Sequence, residues 1–137
     1  MTANKNSGMV LVPISVGELF DKLTILEIKV VRIADESRRE NITRELLVLR
    51  TVAEQLPVLD AECLEILDEL RRVNNLLWEI EDLIRDCERR KEFGSSFIEL
   101  ARSVYRHNDQ RAVLKKRLNV LAGSYLIEEK SYADYGS

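Results

Sequence analysis

Ten side chains in this sequence have the types and spacing to hold an anion between helices: Lys22, Lys29, Asn74, Trp78, Glu81, Tyr105, Asn108, Arg111, Lys115 and Lys130. Arginine offers a planar fork to a carboxylate or phosphate, lysine a point charge, and Asn and Tyr directional hydrogen bonds. Burial would strengthen each contact and make any unpaired member expensive. The same residues also suit a closed network that fixes helix register, with Glu81 taking Arg111 or Lys115. Trp78, the only tryptophan, suits a ring that covers such a network or one that stacks on a ligand.

The elements that must position these groups are long helices. From Asp60 to about Glu92 the residues Ile66, Leu70, Val73, Leu77, Ile80, Ile84 and Cys87 recur at steps of four and three, a sustained apolar seam of coiled-coil type. Beside it run Leu67, Asn74, Trp78, Glu81 and Arg85, a mixed stripe that needs a partner surface, a network or a ligand. Ala101, Tyr105, Asn108, Ala112, Lys115 and Asn119 form a similar stripe on the last helix, with Arg111 next to it. On the first helix Lys22 and Lys29 flank Leu26, with Glu18 below.

The remaining organisation follows from breakers and caps. Between residues 15 and 122 only Gly17, Pro57 and Gly94 interrupt helical pattern. Residues 1–8 read as a disordered start and 9–137 as a single domain. Met9 to Ile14 reads as an edge strand or extended arm, and Tyr125-Leu126-Ile127 as a second short strand able to pair with it. Ser15 with Glu18 forms a capping box for a first helix running to about Asp35, whose core stripe is Leu19, Leu23, Leu26, Val30 and Ile33. A second helix covers about Ser37 to Gln55, with Ile42, Leu46, Leu49 and Val52 inward, and Pro57 ends it. Asp60 caps the third helix, Gly94 separates it from the fourth, and the fourth ends near Leu121. The fold expected is an all-α antiparallel bundle of about four helices, with one long central helix and short extended arms at both ends. At about 1.5 Å per residue the central helix spans about 50 Å, long enough that a second chain is expected to cover part of its seam in a homodimer.

Composition excludes several classes of function. The net charge is −3, which gives the whole chain no nucleic-acid footprint. Residues 85–117 do hold ten Lys/Arg against five Asp/Glu, a basic segment suited to an anion or to an acidic neighbour. The short runs Arg38-Arg39, Arg89-Arg90-Lys91 and Lys115-Lys116-Arg117 lack interleaved aromatics and any helix-turn-helix pattern. Cys63 and Cys87 sit on apolar positions of one helix, too far apart to bridge each other, and read as buried thiols in a reduced cytoplasmic compartment. No stretch approaches the roughly 18 apolar residues of a membrane span. His107 stands alone, so no zinc set is expected. Glu62-x-x-Glu65 and Glu79-x-x-Asp82 match the string of helical nucleotide pyrophosphohydrolases, but on one helix the two pairs lie roughly 25 Å apart, so no metal or other cofactor is expected.

Val12-Pro13-Ile14-Ser15-Val16-Gly17-Glu18-Leu19, with Asp21-Lys22-Leu23-Thr24-Ile25-Leu26-Glu27-Ile28-Lys29, resembles the opening of a bacterial family of small helical proteins with no assigned function. Asn74 with Leu77-Trp78-Glu79-Ile80-Glu81-Asp82, then Ala101-Arg102-Ser103-Val104-Tyr105-Arg106, Asn108-Asp109-x-Arg111 and Glu128-Glu129-Lys130-Ser131-Tyr132, resemble its later motifs. The resemblance implies a stand-alone domain and brings no reaction. A looser likeness is to helical chorismate mutases, which are similar in gripping a dianion with bundle residues; their motif spacing is not matched here. The residues themselves support three readings: a non-enzymatic binding or assembly domain whose polar layer sets register, a small-anion site for a phosphate or carboxylate metabolite, and an adaptor that meets a protein partner through the Glu128–Tyr135 tail.

Overall fold

Four helices account for the regular structure of residues 8–136, the part of the chain that the computed structural model describes. They are α1 (Val16–Arg32), α2 (Glu36–Glu54), α3 (Ala61–Arg90) and α4 (Ser95–Leu121). The expected start at residues 1–8 lies, apart from Gly8, outside the described residues.

Local chemistry sets the ends. Ser15 Oγ accepts from the Glu18 N–H at 3.0 Å, and Asp60 accepts from the Cys63 N–H at 2.9 Å, each satisfying an amide that has no partner inside its helix. Only half of the capping box forms, because the Glu18 carboxylate turns to Lys115 instead of returning to the cap. Asp35 caps α2 through the Arg38 N–H, so α2 begins at Glu36 and α1 ends at Arg32, three residues before the expected Asp35. Lys91, in the left-handed region at φ 56°, closes α3 and opens the tight turn into α4.

Two apolar clusters hold the helices together. Cys63, Ile66, Leu70 and Val73 of α3 pack on Leu114 and Leu118 of α4, with Val16 and Phe20 of α1 at their edge. Leu19, Leu23 and Leu26 of α1 pack on Ile42 and Leu46 of α2. α2 thus packs on α1 alone, while α1, α3 and α4 all pack on one another. Val52, expected inward, is exposed because α2 has only one neighbour to face. Seventeen residues of α1 set against thirty of α3 leave part of the α3–α4 hairpin uncovered, with Leu83, Phe93 and Ile98 each about half exposed.

Neither arm forms a strand among the described residues. Met9 to Ile14 is an exposed, extended arm, and residues 125–136 are an extended tail. The Val and Ile residues of 9–14 and the Tyr-Leu-Ile of 125–127 suit extended backbone, but a strand needs a ladder partner, and the tail lies against α4 through its side chains.

Candidate functional site

The buried polar layer is organised by Asp21. Gly17, Asp21, Thr24 and Ile28 follow one another at steps of four, three and four on α1, and all four are buried. That face meets α3 and α4. The Asp21 side chain is 1% exposed, and the Arg111 guanidinium grips it with both arms, Nε donating to Oδ1 at 2.8 Å and Nη2 donating to Oδ2. Asn74 Nδ2 donates to the same Oδ1 at 2.9 Å and to Thr24 Oγ1 at 2.8 Å, and the Thr24 hydroxyl donates to the Asp21 carbonyl at 2.8 Å. Lys115 Nζ donates to Glu18 at 2.5 Å and lies 3.9 Å from Asp21. Two carboxylates therefore face two cations. The carboxylate of Asp21 pushes the Arg111 pKa up, against the opposing effect of burial. Among the described residues no buried side-chain nitrogen or oxygen lacks a hydrogen-bond partner.

One turn toward the helix ends, the backbones of α1 and α4 come close enough that only glycine fits. A Cβ on Gly17 would stand 2.5 Å from the Lys115 carbonyl oxygen and 2.9 Å from Asn119 Oδ1. The approach lets buried Asn119 accept from the Gly17 N–H at 2.6 Å, so a side chain satisfies an amide at the start of α1.

A second polar region lies on the adjoining side of α4. Residues 128–135 run back along the helix and enclose an open groove of about 960 Å³ against Tyr105, Asn108, Arg111, Ala112, Lys115, Lys116 and Asn119. Ser15 Oγ donates to Glu128 at 2.6 Å. Lys116 Nζ donates to both oxygens of Glu129 at 2.9 Å, and Lys130 donates to Asp109. The Tyr135 ring meets the Tyr105 ring at 5.0 Å, and Lys130 Nζ stands 5.2 Å from the centre of the Tyr132 ring. The Lys130 hydrogen bond holds the Asp109 carboxyl below its ordinary pKa, while partial burial and the Asp109 contact push the Tyr135 phenol up. Four cations line the groove, Arg111, Lys115, Lys116 and Lys130, and each already faces a carboxylate of this chain.

The ten residues expected to converge divide into three groups. Tyr105, Asn108, Arg111, Lys115 and Lys130 line the groove together. Asn74 lies in the buried layer behind it, on Asp21. Lys22, Lys29, Trp78 and Glu81 belong to neither. Lys22 points outward and lies 3.9 Å from Glu18, and Lys29 is half-buried in the last turn of α1. Trp78 is half-buried on α3 and makes none of the layer's hydrogen bonds among the described residues. Glu81 is exposed and pairs with Arg85 on its own helix at 3.6 Å, so the carboxylate that meets Arg111 is Asp21 and the one that meets Lys115 is Glu18. Asp21, Thr24 and the Ser15–Glu128 contact were not expected. The small and polar succession Gly17, Asp21, Thr24 was the available signal for the first two. Among the described residues no group of His, Cys, Asp and Glu is arranged to hold a metal ion, and no helix is long and apolar enough to cross a membrane.

Fold and layer together define an all-α bundle whose three mutually packed helices share a satisfied ionic core. The chain belongs to DUF6165, a family of unknown function whose model matches residues 10–137. No curated protein and no solved structure matches it.

Proposed function

We propose that this chain is a non-enzymatic cytoplasmic binding and assembly domain, in which the polar layer sets helix register and the surfaces left open do the recognising, a second copy of the chain among their partners. The observation that carries the reading is the closure of the layer. Asp21 uses both oxygens on Arg111 and Asn74, and no buried polar side-chain atom among the described residues is left to act on a substrate. Buried, fully paired polar groups are best attested as devices that fix register and pairing. The uncovered Leu83, Phe93 and Ile98 on the α3–α4 hairpin, together with the exposed arm from Val10 to Val12, favour a second copy as partner.

A second reading, a small phosphate- or carboxylate-bearing metabolite held in the groove, is favoured by the groove's volume and by its Lys115, Lys116 and Lys130. One experiment separates the two: light scattering on the purified chain, coupled to a thermal-shift panel of nucleotides, nucleotide sugars, sugar phosphates and di-acids. Assembly predicts the mass of two chains and no shift from the panel. A compound present at about 100 times its dissociation constant adds roughly 2.7 kcal/mol, several degrees in melting temperature. Such a shift, lost in Lys116→Ala, would replace the first reading with the second.

A further inference from the structure

The basic stripe on α4 already has an occupant, and its chemistry is visible. Residues 125–136 carry Glu128, Glu129 and Asp134 against Lys130, and they lie along a helix face that presents Lys116 to Glu129 and Asp109 to Lys130, with Lys115 engaged by Glu18. The tail offers adjacent carboxylates, one to the Ser15 hydroxyl at the start of α1 and one to Lys116, then an aromatic ring six residues on, set against Tyr105. One of its contacts, Lys116 with Glu129, is of a kind that exchanges easily, whereas Glu128 meets the buried Ser15 hydroxyl. Among the described residues no backbone–backbone hydrogen bond ties 125–136 to the helices, and Lys116 and Glu129 are about half and about two-thirds exposed. Exposed ion pairs hold weakly and are screened by salt. Gly123, at φ +69°, provides the turn from which the tail departs, with nothing within 4 Å of where its Cβ would be.

We infer that the α4 face beneath the tail is a docking surface for an acidic, extended segment of a partner protein, one with neighbouring carboxylates and an aromatic residue about six positions on, and that the tail occupies this surface in its absence. Lys116, whose carboxylate comes from the tail alone, and the register of the tail's own contacts select that partner chemistry. The inference rests on the binding-domain reading and specifies one of its open surfaces. It differs from an adaptor role for the tail, because here the helix face recognises and the tail competes.

The test uses the full chain and a labelled peptide with the sequence of residues 125–136 as the probe. In one variant the tail is released by Glu128→Gln, Glu129→Gln, Lys130→Ala and Tyr135→Ala; a second adds Lys116→Glu. Fluorescence anisotropy should show the released variant binding the peptide at least tenfold more tightly than the unaltered chain, with the gain lost on Lys116→Glu. Three results would overturn the inference: equal binding by the unaltered and released chains, no binding by a released chain with native circular dichroism, or a released chain that does not fold, since the tail would then be part of the core. Light scattering on the same samples keeps the two proposals apart. A dimer that ignores the peptide removes only this inference, whereas a monomer that binds it removes only self-assembly.

Discussion

α4 carries two sets of carboxylate–cation pairs, and they differ mainly in how much water reaches them. In the layer shared with α1 and α3, Asp21 is 1% exposed and is held by the Arg111 fork and Asn74. Along the tail, Glu129 and Lys116 make contacts of similar length, but at 71% and 49% exposure. The charges are alike and the consequences of breaking them are not. Removing one partner of a buried pair strands a charge that water cannot reach, whereas removing one partner of an exposed pair returns the other to solvent. The first set therefore ties three helices together through buried charge, and the second holds the tail through groups that water reaches.

The largest way to break that contrast is Arg111→Ala. It leaves the Asp21 carboxylate with Asn74 and a distant Lys115, and should cost about 3–5 kcal/mol. Urea denaturation followed by circular dichroism measures it; a loss below 1 kcal/mol would mean that the layer is not the lock described here. Next comes Gly17→Ala, which probes the same lock without touching a charge. The added methyl meets a backbone oxygen at 2.5 Å, so α1 and α4 must separate, at about 1–3 kcal/mol. A variant as stable as the parent would show that the approach of the two helices is loose.

How much of this the sequence discloses also differs between the two regions. Helix number, the long α3 seam and the caps at Ser15 and Asp60 follow from periodicity and from the unmet amides of helix starts, which are local properties. The layer was half legible. Arg111 and Asn74 stand out as polar residues beside apolar seams, but Asp21 is masked by its neighbours, since the Leu19, Leu23, Leu26 stripe takes the eye as the core face of α1. In fact α1 buries two faces, one on α2 and the other on α3 and α4. Glu81 looked the better partner for Arg111 because it shares the stripe of Asn74; α1 stands between them in function, supplying the carboxylate itself. The tail was the least legible part. An extended segment has no period to betray its path, and its contacts join residues about 13 to 113 positions apart.

A smaller effect, at an exposed site tied to backbone, lies between the two extremes. The Cys63 N–H, above all, holds the Asp60 carboxyl below its ordinary value of 3.8. A depressed carboxylate stabilises the folded state at pH values above its unfolded value, and that contribution fades as pH falls through the lowered folded value. Asp60→Ala should therefore lower the melting temperature by a few degrees at pH 7, and the gap between variant and parent should narrow as pH falls below the ordinary value of 3.8 and through the lowered folded one. A gap that persists in acid would assign the loss to helix propensity and not to the charged cap.

The smallest expected effect is the most discriminating one. Glu129→Gln removes the charge that meets Lys116 while keeping the side chain's length, and both groups are open to water, so global stability should change by less than about 1 kcal/mol. Limited proteolysis should nevertheless report faster cleavage within residues 125–136, in the variant and in the parent at high salt alike, because screening weakens the same contact. Stability and tail protection would then move separately, as they must if the tail is held by surface charge and the helices by the buried layer. A Glu129→Gln chain that loses several kcal/mol would instead make the tail a structural element of the bundle, and the distinction between the two regions of α4 would be one of position only.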